Sequence, residues 1–269
     1  SSFTMLFFYK GAQYYFLKGI VYKPLFYIIF LIFAYFHSFN AVRQILAAAI
    51  IFYASKYIIE KNYAMFTFWV LLAMSFHLSS VFFLILYFIV NKNYSRKTLY
   101  TTLLLALLLA MNNVISNIMF QITYNFTFID IGGYVSNYLT SSYNEQNIDL
   151  GIVFAINTLL LLVLIFFKSK YIKFKWQNVI LNFYCLYITT ILLATDAFVV
   201  ARFQYYLSSY MAVAISSVII MFDDDSKKIV KLISTFLYIF LYLYIIYTGY
   251  VNPENTDLIP YQYNFNIFK

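Results

Sequence analysis

Three side chains stand out because the chain has so few like them. Of its 18 basic residues, only Arg43, Arg96 and Arg202 are arginines, and one of its two histidines, His77, sits in the run Ser75-Phe76-His77-Leu78-Ser79-Ser80. Arginine offers a rigid, permanently charged fork that suits phosphate or carboxylate oxygens. Histidine exchanges a proton near neutral pH. Together they have the makings of a site that holds an anionic group and moves a proton beside it. Each also has a plainer reading: an arginine that caps a helix or snorkels, and an imidazole that makes an interhelical hydrogen bond. Asp196, six positions before Arg202, is either the partner of that arginine or a carboxylate able to act as a base, pairing being the first expectation. His37, in Tyr35-Phe36-His37-Ser38, reads as structural. No His, Cys, Asp or Glu cluster has metal-ligand spacing, so no metal and no cofactor are expected. Ser79 and Ser80 lack the glycines of a nucleophile elbow.

The elements that must position these groups are set by composition. The 269 residues are 64% hydrophobic and 10% charged, with a mean hydropathy of +0.78; a soluble domain carries about 25% charged residues. Such a chain cannot clothe a globule in water-compatible surface. A soluble enzyme, a disordered tail and a disulfide scaffold are excluded, the single Cys185 being unable to close an internal bridge. The net charge of +8 is not a nucleic-acid footprint, because the lysines lie in short clusters between apolar runs. The expected fold is an all-α, polytopic transmembrane helix bundle forming one domain over residues 1–269. Its expected spans are Pro24–Phe39, Ala41–Ile59, Ala64–Val90, Leu99–Phe120, Leu150–Phe167, Val179–Ala194, Phe203–Phe222 and Leu232–Tyr250. The chain starts at Ser1 and enters the apolar stretch Phe3–Tyr9 at once, and is expected to lack native N-terminal spans.

Charge orients the bundle. With Lys10, Lys18 and Lys23 inside, alternation leaves 15 of the 18 basic residues on the inner side, as the positive-inside rule requires. Arg43 and Arg202 remain outside, each at the mouth of a span, where topology does not explain them. Ala64–Val90 has Lys61 before it and Lys92 behind it, so both of its ends belong inside. It is therefore expected to be a re-entrant or broken helix pair with His77 near the outer turn, one long helix being the alternative. The outer side also receives a periplasmic loop of about residues 121–149, which contains no lysine or arginine. No internal sequence repeat is apparent. Most of the 29 tyrosines and 31 phenylalanines read as interfacial or coding bias. Tyr205 and Tyr206, directly behind Arg202, are exceptions suited to stacking on a sugar ring.

The strings Asn40-Ala41-Val42-Arg43-Gln44-Ile45-Leu46-Ala47, Ala73-Met74-Ser75-Phe76-His77-Leu78-Ser79-Ser80 and Arg202-Phe203-Gln204-Tyr205-Tyr206, with Leu258-Ile259-Pro260-Tyr261 near the end, resemble the EpsG family of exopolysaccharide polymerases, relatives of the Wzy type. The resemblance runs from about Pro24 to Tyr261. It implies a multi-pass protein of the bacterial inner membrane that joins oligosaccharide repeat units carried on undecaprenyl pyrophosphate at the periplasmic face. A metal-independent glycosyltransferase of this kind would use Arg43 and Arg202 on the pyrophosphate. His77 would be its base with Asp196 in reserve, and Gln44, Tyr205 and Tyr206 would meet the substrate. Implied partners are the lipid-linked oligosaccharides, the bilayer and a chain-length regulator, without nucleic acid. The rival readings are a flippase or transporter of lipid-linked sugar, a non-catalytic subunit of a glycan assembly complex, and an acyltransferase, for which no partner motif is apparent.

Overall fold

A computed structural model of the chain describes residues 2–19, 21–35, 41–125 and 150–251. Among these all regular structure is helical, as backbone in hydrocarbon requires, since only a helix pairs every N–H and C=O within its own segment. The helices are α1 (Ser2–Phe16), α2 (Lys23–Phe30), α3 (Val42–Ile59), α4 (Tyr63–Met74), α5 (Phe83–Val90), α6 (Arg96–Met111), α7 (Val114–Asn125), α8 (Ile152–Phe166), α9 (Lys175–Ala194), α10 (Gln204–Ser216) and α11 (Asp224–Val251). The stretches Val42–Ile59, Lys175–Ala194, Val200–Met221 and Asp224–Thr248 are long and apolar enough to cross a bilayer. The structure is the expected all-α polytopic bundle.

α9 and α10 form its centre. Phe183 of α9 stacks on Tyr210 of α10 with ring centroids 4.0 Å apart, and Phe52 of α3 meets the edge of the same tyrosine. α1 lies along α3, with the Tyr15 hydroxyl 2.6 Å from that of Ser55. The close approach depends on Gly11. A Cβ there would fall 2.6 Å from Cδ1 of Phe52 and 3.2 Å from Cα of Tyr53, so only a residue without a side chain lets these backbones meet. α11 sits at the margin. Ile229, Leu232, Ile233, Phe236, Phe240 and Leu243 are exposed on it, which suits a face turned to acyl chains.

The basic loops gather at one end of the bundle. Arg96 donates to Ser169 at 3.0 Å, Lys168 to Asn93 at 2.8 Å, and the Lys231 ammonium lies over the Tyr22 ring. Asn178 and Asn182, one turn apart on α9, donate to the carbonyls of Lys92 and Val90 at 2.8–2.9 Å. They thereby take up acceptors that the C-terminus of α5 would otherwise leave orphaned.

Two expected spans are broken. Ala64–Val90 is a hairpin: Tyr63, at the start of α4, lies 5.0 and 5.2 Å from Tyr87 and Phe88 at the end of α5, so the chain doubles back. At 1.5 Å per residue the 12 residues of α4 reach about 18 Å, and the return leg is divided into the 3₁₀ turn Leu78–Phe82 and α5. The pair is a broken helix hairpin with both feet on the lysine side. Leu99–Phe120, read as one span, divides into α6 and α7 at Asn112-Asn113. Asn113 adopts a left-handed φ of 52°, which asparagine tolerates better than other side chains, and the Asn112 amide folds back onto the carbonyl of Leu108 at 2.7 Å. His37, Asn40, the loop over residues 126–149 and the tail from 252 lie outside the described residues.

Candidate active site

The end of the bundle opposite the lysines is built by two hairpin crests. In the first, the Ser75 hydroxyl turns back onto the carbonyl of Leu72 at 2.7 Å. The amides of Phe76 and His77 then both close on Ala73, and α4 ends there. His77 is extended (φ −153°, ψ 116°) and opens a 3₁₀ turn over Leu78–Phe82 that leads into α5. In the second crest Thr195 donates to Leu192 at 2.7 Å, and the amides of Asp196 and Ala197 both close on Leu193. Ala197 is extended (φ −133°, ψ 99°) ahead of a 3₁₀ turn over Phe198–Phe203 that leads into α10. The crests match residue for residue: Ser75 with Thr195, His77 with Ala197, Phe82 with Arg202, Phe83 with Phe203. They also pack together, Phe82 on Phe203 at 5.5 Å and Phe83 on Tyr206 at 5.2 Å.

This junction brings the proposed chemistry together. His77 is partly exposed at the tip of the first crest, and Arg202 lies in the last turn of the 3₁₀ segment of the second. Arg43 is exposed in the first turn of α3. The next residue, the buried Gln44, donates from Nε2 to the main-chain carbonyl of Arg202 at 2.7 Å, tying α3 to the second crest. Partial burial lowers the His77 pKa below its usual value, and the charges of Arg202 and then Arg43 push it further in the same direction. Both guanidinium groups therefore act electrostatically on one imidazole. These effects favour the neutral imidazole, the form that can accept a proton.

The remaining expected site residues divide. Tyr206 is buried, and its hydroxyl lies 3.1 Å from Ser79 Oγ, 3.2 Å from Ser80 Oγ and 3.2 Å from His77 Nδ1. It faces the crest rather than an open stacking surface. Tyr205 is partly exposed beside it. Asp196 turns to another element: its carboxylate accepts from the amide of Ile115 at 2.7 Å and from that of Ser116 at 3.3 Å, filling the N-terminus of α7, where free amides and the helix dipole favour an anion. Sequence reasoning passed over Ser79 and Ser80 once they failed as nucleophiles. Their signal was proximity, two hydroxyls within three residues of the only histidine in a polar cluster. An apolar groove of about 260 Å³ runs below the crests between the two hairpins, lined by Phe82, Ile85, Leu186, Val200, Phe203 and Leu207.

Neither a curated protein nor a solved structure matches the chain. The EpsG family model matches it over residues 1–263, taking in both crests, Arg43, Arg202 and the described helices. This protein therefore belongs to the EpsG family of exopolysaccharide-related membrane proteins.

Proposed function

We propose that the protein is a polysaccharide polymerase that lengthens a glycan by transferring it from a lipid pyrophosphate to an incoming lipid-linked unit. Transfer takes place at the membrane face opposite the lysines, the periplasmic face of a bacterial inner membrane. The observation that carries this reading is that Arg202, Arg43 and His77 come from the junction where two hairpin crests meet, Gln44 bonding to the Arg202 carbonyl and Tyr206 lying 3.2 Å from His77 Nδ1.

The chemistry follows from the charges. Arg43 and Arg202 bind the donor's pyrophosphate. As the anomeric C–O bond breaks, its electron pair goes to that oxygen, and fixed cations stabilise the growing negative charge without reorganising. His77 accepts the proton of the acceptor hydroxyl as the hydroxyl oxygen bonds to the anomeric carbon. The resulting imidazolium, disfavoured between two arginines, passes the proton to the departing pyrophosphate or to water. The net change is one glycosidic bond made and one glycosyl–phosphate bond broken. The groove below the crests offers hydrocarbon surface to the polyprenyl chain, its rim at Phe203 adjoining Arg202.

The test is reconstitution with lipid-pyrophosphate-linked oligosaccharide. The wild-type protein should build a ladder of lengthened products. Arg43→Ala, His77→Ala and Arg202→Ala should each suppress it at unchanged protein level. A full ladder from all three variants would remove the mechanism. Movement of labelled lipid-linked sugar across liposomes without lengthening would mark a flippase instead.

A further inference from the structure

His77, Ser79, Ser80 and Tyr206 close a ring of polar contacts whose hydrogens can be counted. Ser79 Oγ lies 2.7 Å from His77 Nδ1, Tyr206 Oη 3.1 Å from Ser79 Oγ and 3.2 Å from Ser80 Oγ, and Tyr206 Oη 3.2 Å from His77 Nδ1. Ser80 Oγ donates to the carbonyl of His77 at 2.8 Å. That bond uses the only hydrogen Ser80 has, so toward Tyr206 its oxygen must accept and the phenol must donate. With the Tyr206 hydrogen committed, the Ser79–Tyr206 contact needs the hydrogen of Ser79. With its hydrogen on Tyr206, Ser79 has none left for the imidazole, and the 2.7 Å contact at Nδ1 then takes its hydrogen from Nδ1 itself.

The other tautomer leaves the ring short. If Nδ1 is bare, three hydroxyl hydrogens must serve five contacts and two go without a hydrogen of their own, against one when Nδ1 carries a hydrogen. With Nδ1–H, donation runs one way: His77 Nδ1–H to Ser79, Ser79 to Tyr206, Tyr206 to Ser80, Ser80 to the His77 carbonyl. The longer Nδ1–Tyr206 contact shares the first hydrogen. Tyr206 and Ser80 are buried, so water does not readily stand in for a missing member, and unmet polar groups there are costly.

We infer that Ser79, Tyr206 and Ser80 are positioning residues that lock His77 in its Nδ1–H tautomer and so leave Nε2 as the atom that takes the acceptor's proton. The part about Nε2 rests on the polymerase reading above; the tautomer does not. The ring joins the two hairpins, because Tyr206 comes from α10 and the rest from the first crest. The state of the base thus depends on the crests being seated against each other, and protonation at Nε2 requires no rearrangement at Nδ1.

Nitrogen-15 NMR of the full chain, labelled at histidine and held in lipid bilayers above the His77 pKa, reads the tautomer without reference to activity. The His77 signals are those lost in His77→Gln. The expected result is a hydrogen-bearing Nδ1 and a bare Nε2; the reverse assignment overturns the inference. Ser79→Ala and Tyr206→Phe should each move the population toward Nε2–H, whereas Ser79→Thr, which keeps the hydroxyl, should not. In the lengthening assay Ser79→Ala should lower kcat about tenfold or more, with KM changed less than twofold, and Ser79→Thr should recover most of the rate. A wild-type rate in Ser79→Ala overturns the positioning role. Nδ1–H in a protein that lengthens no oligosaccharide supports the tautomer assignment and overturns the polymerase reading.

Discussion

The hairpin of α4 and α5 and the hairpin of α9 and α10 turn on the same sequence of backbone hydrogen bonds, yet they carry different side chains. Where the first presents His77 at the extended position, the second has the buried Ala197. The middle position is an exposed Phe76 in one and, in the other, Asp196, which reaches across to the start of α7. At the end of the 3₁₀ turn, Phe82 lies half in the apolar groove while Arg202 brings a charge. Their legs differ too: α4 is a 12-residue helix of about 18 Å and the return leg is split into a 3₁₀ turn and α5, whereas the 20 residues of α9 form one unbroken helix of about 30 Å. The crest geometry thus needs little beyond a hydroxyl at the first position, supplied by Ser75 and Thr195. The other positions are free to divide base from cation.

That division can be broken from either side. The largest effects should come from the charged and titrating tips: His77→Ala and Arg202→Ala are each expected to lower the lengthening rate by about 10²–10³-fold, the scale for losing one fixed group that stabilises a transition state. Equal losses of only a few-fold would mean that neither crest carries the chemistry. Arg43→Ala should weaken the reaction and also change its pH profile. A base must be unprotonated to act, so the rate rises with pH through the His77 pKa, which burial and the arginines hold below the ordinary histidine value. Removing Arg43 lifts part of that depression and should carry the acidic limb to higher pH; an unmoved limb would separate His77 from the arginines.

Smaller effects sharpen the contrast at the middle position. Asp196→Ala deprives α7 of its N-terminal acceptor and should cost about 1 kcal/mol, seen as a fall in melting temperature of roughly 2–4 °C, with the pH profile unmoved. A shifted acidic limb with unchanged melting would make Asp196 part of the proton chemistry instead. The smallest changes should come from Ser75→Ala and Thr195→Val. Each removes a single hydroxyl-to-carbonyl bond worth about 0.5–1.5 kcal/mol, and similar melting shifts would confirm that the two turns are built alike.

Much of the first crest was legible in the sequence. Lys61 and Lys92 flank a run long for one span and short for two, and the polar cluster around His77 marks where it breaks. The second crest was not legible as its counterpart, because the likeness lies in main-chain bonds and only the Ser75–Thr195 hydroxyl and the Phe83–Phe203 ring survive as side-chain traces. The role of Asp196 was hidden because its partners are amides of Ile115 and Ser116, groups every residue possesses and no composition reveals. The break at Asn112-Asn113 was read through for a similar reason: the leucines of α6 and the apolar residues of α7 carry the hydropathy past two amides whose effect is on φ. The arginines were conspicuous because lysine supplies nearly all the other positive charge. Ser79 and Tyr206 acquire their meaning only when α10 is set beside the first crest.

The hydrogen bond from Gln44 to the carbonyl of Arg202 works like a fixed calliper. One jaw is the residue next to Arg43, the other is the main chain of Arg202 itself, and neither guanidinium takes part in it. Charge and spacing are consequently carried by different atoms, and Gln44→Leu would free the gap while both charges remain.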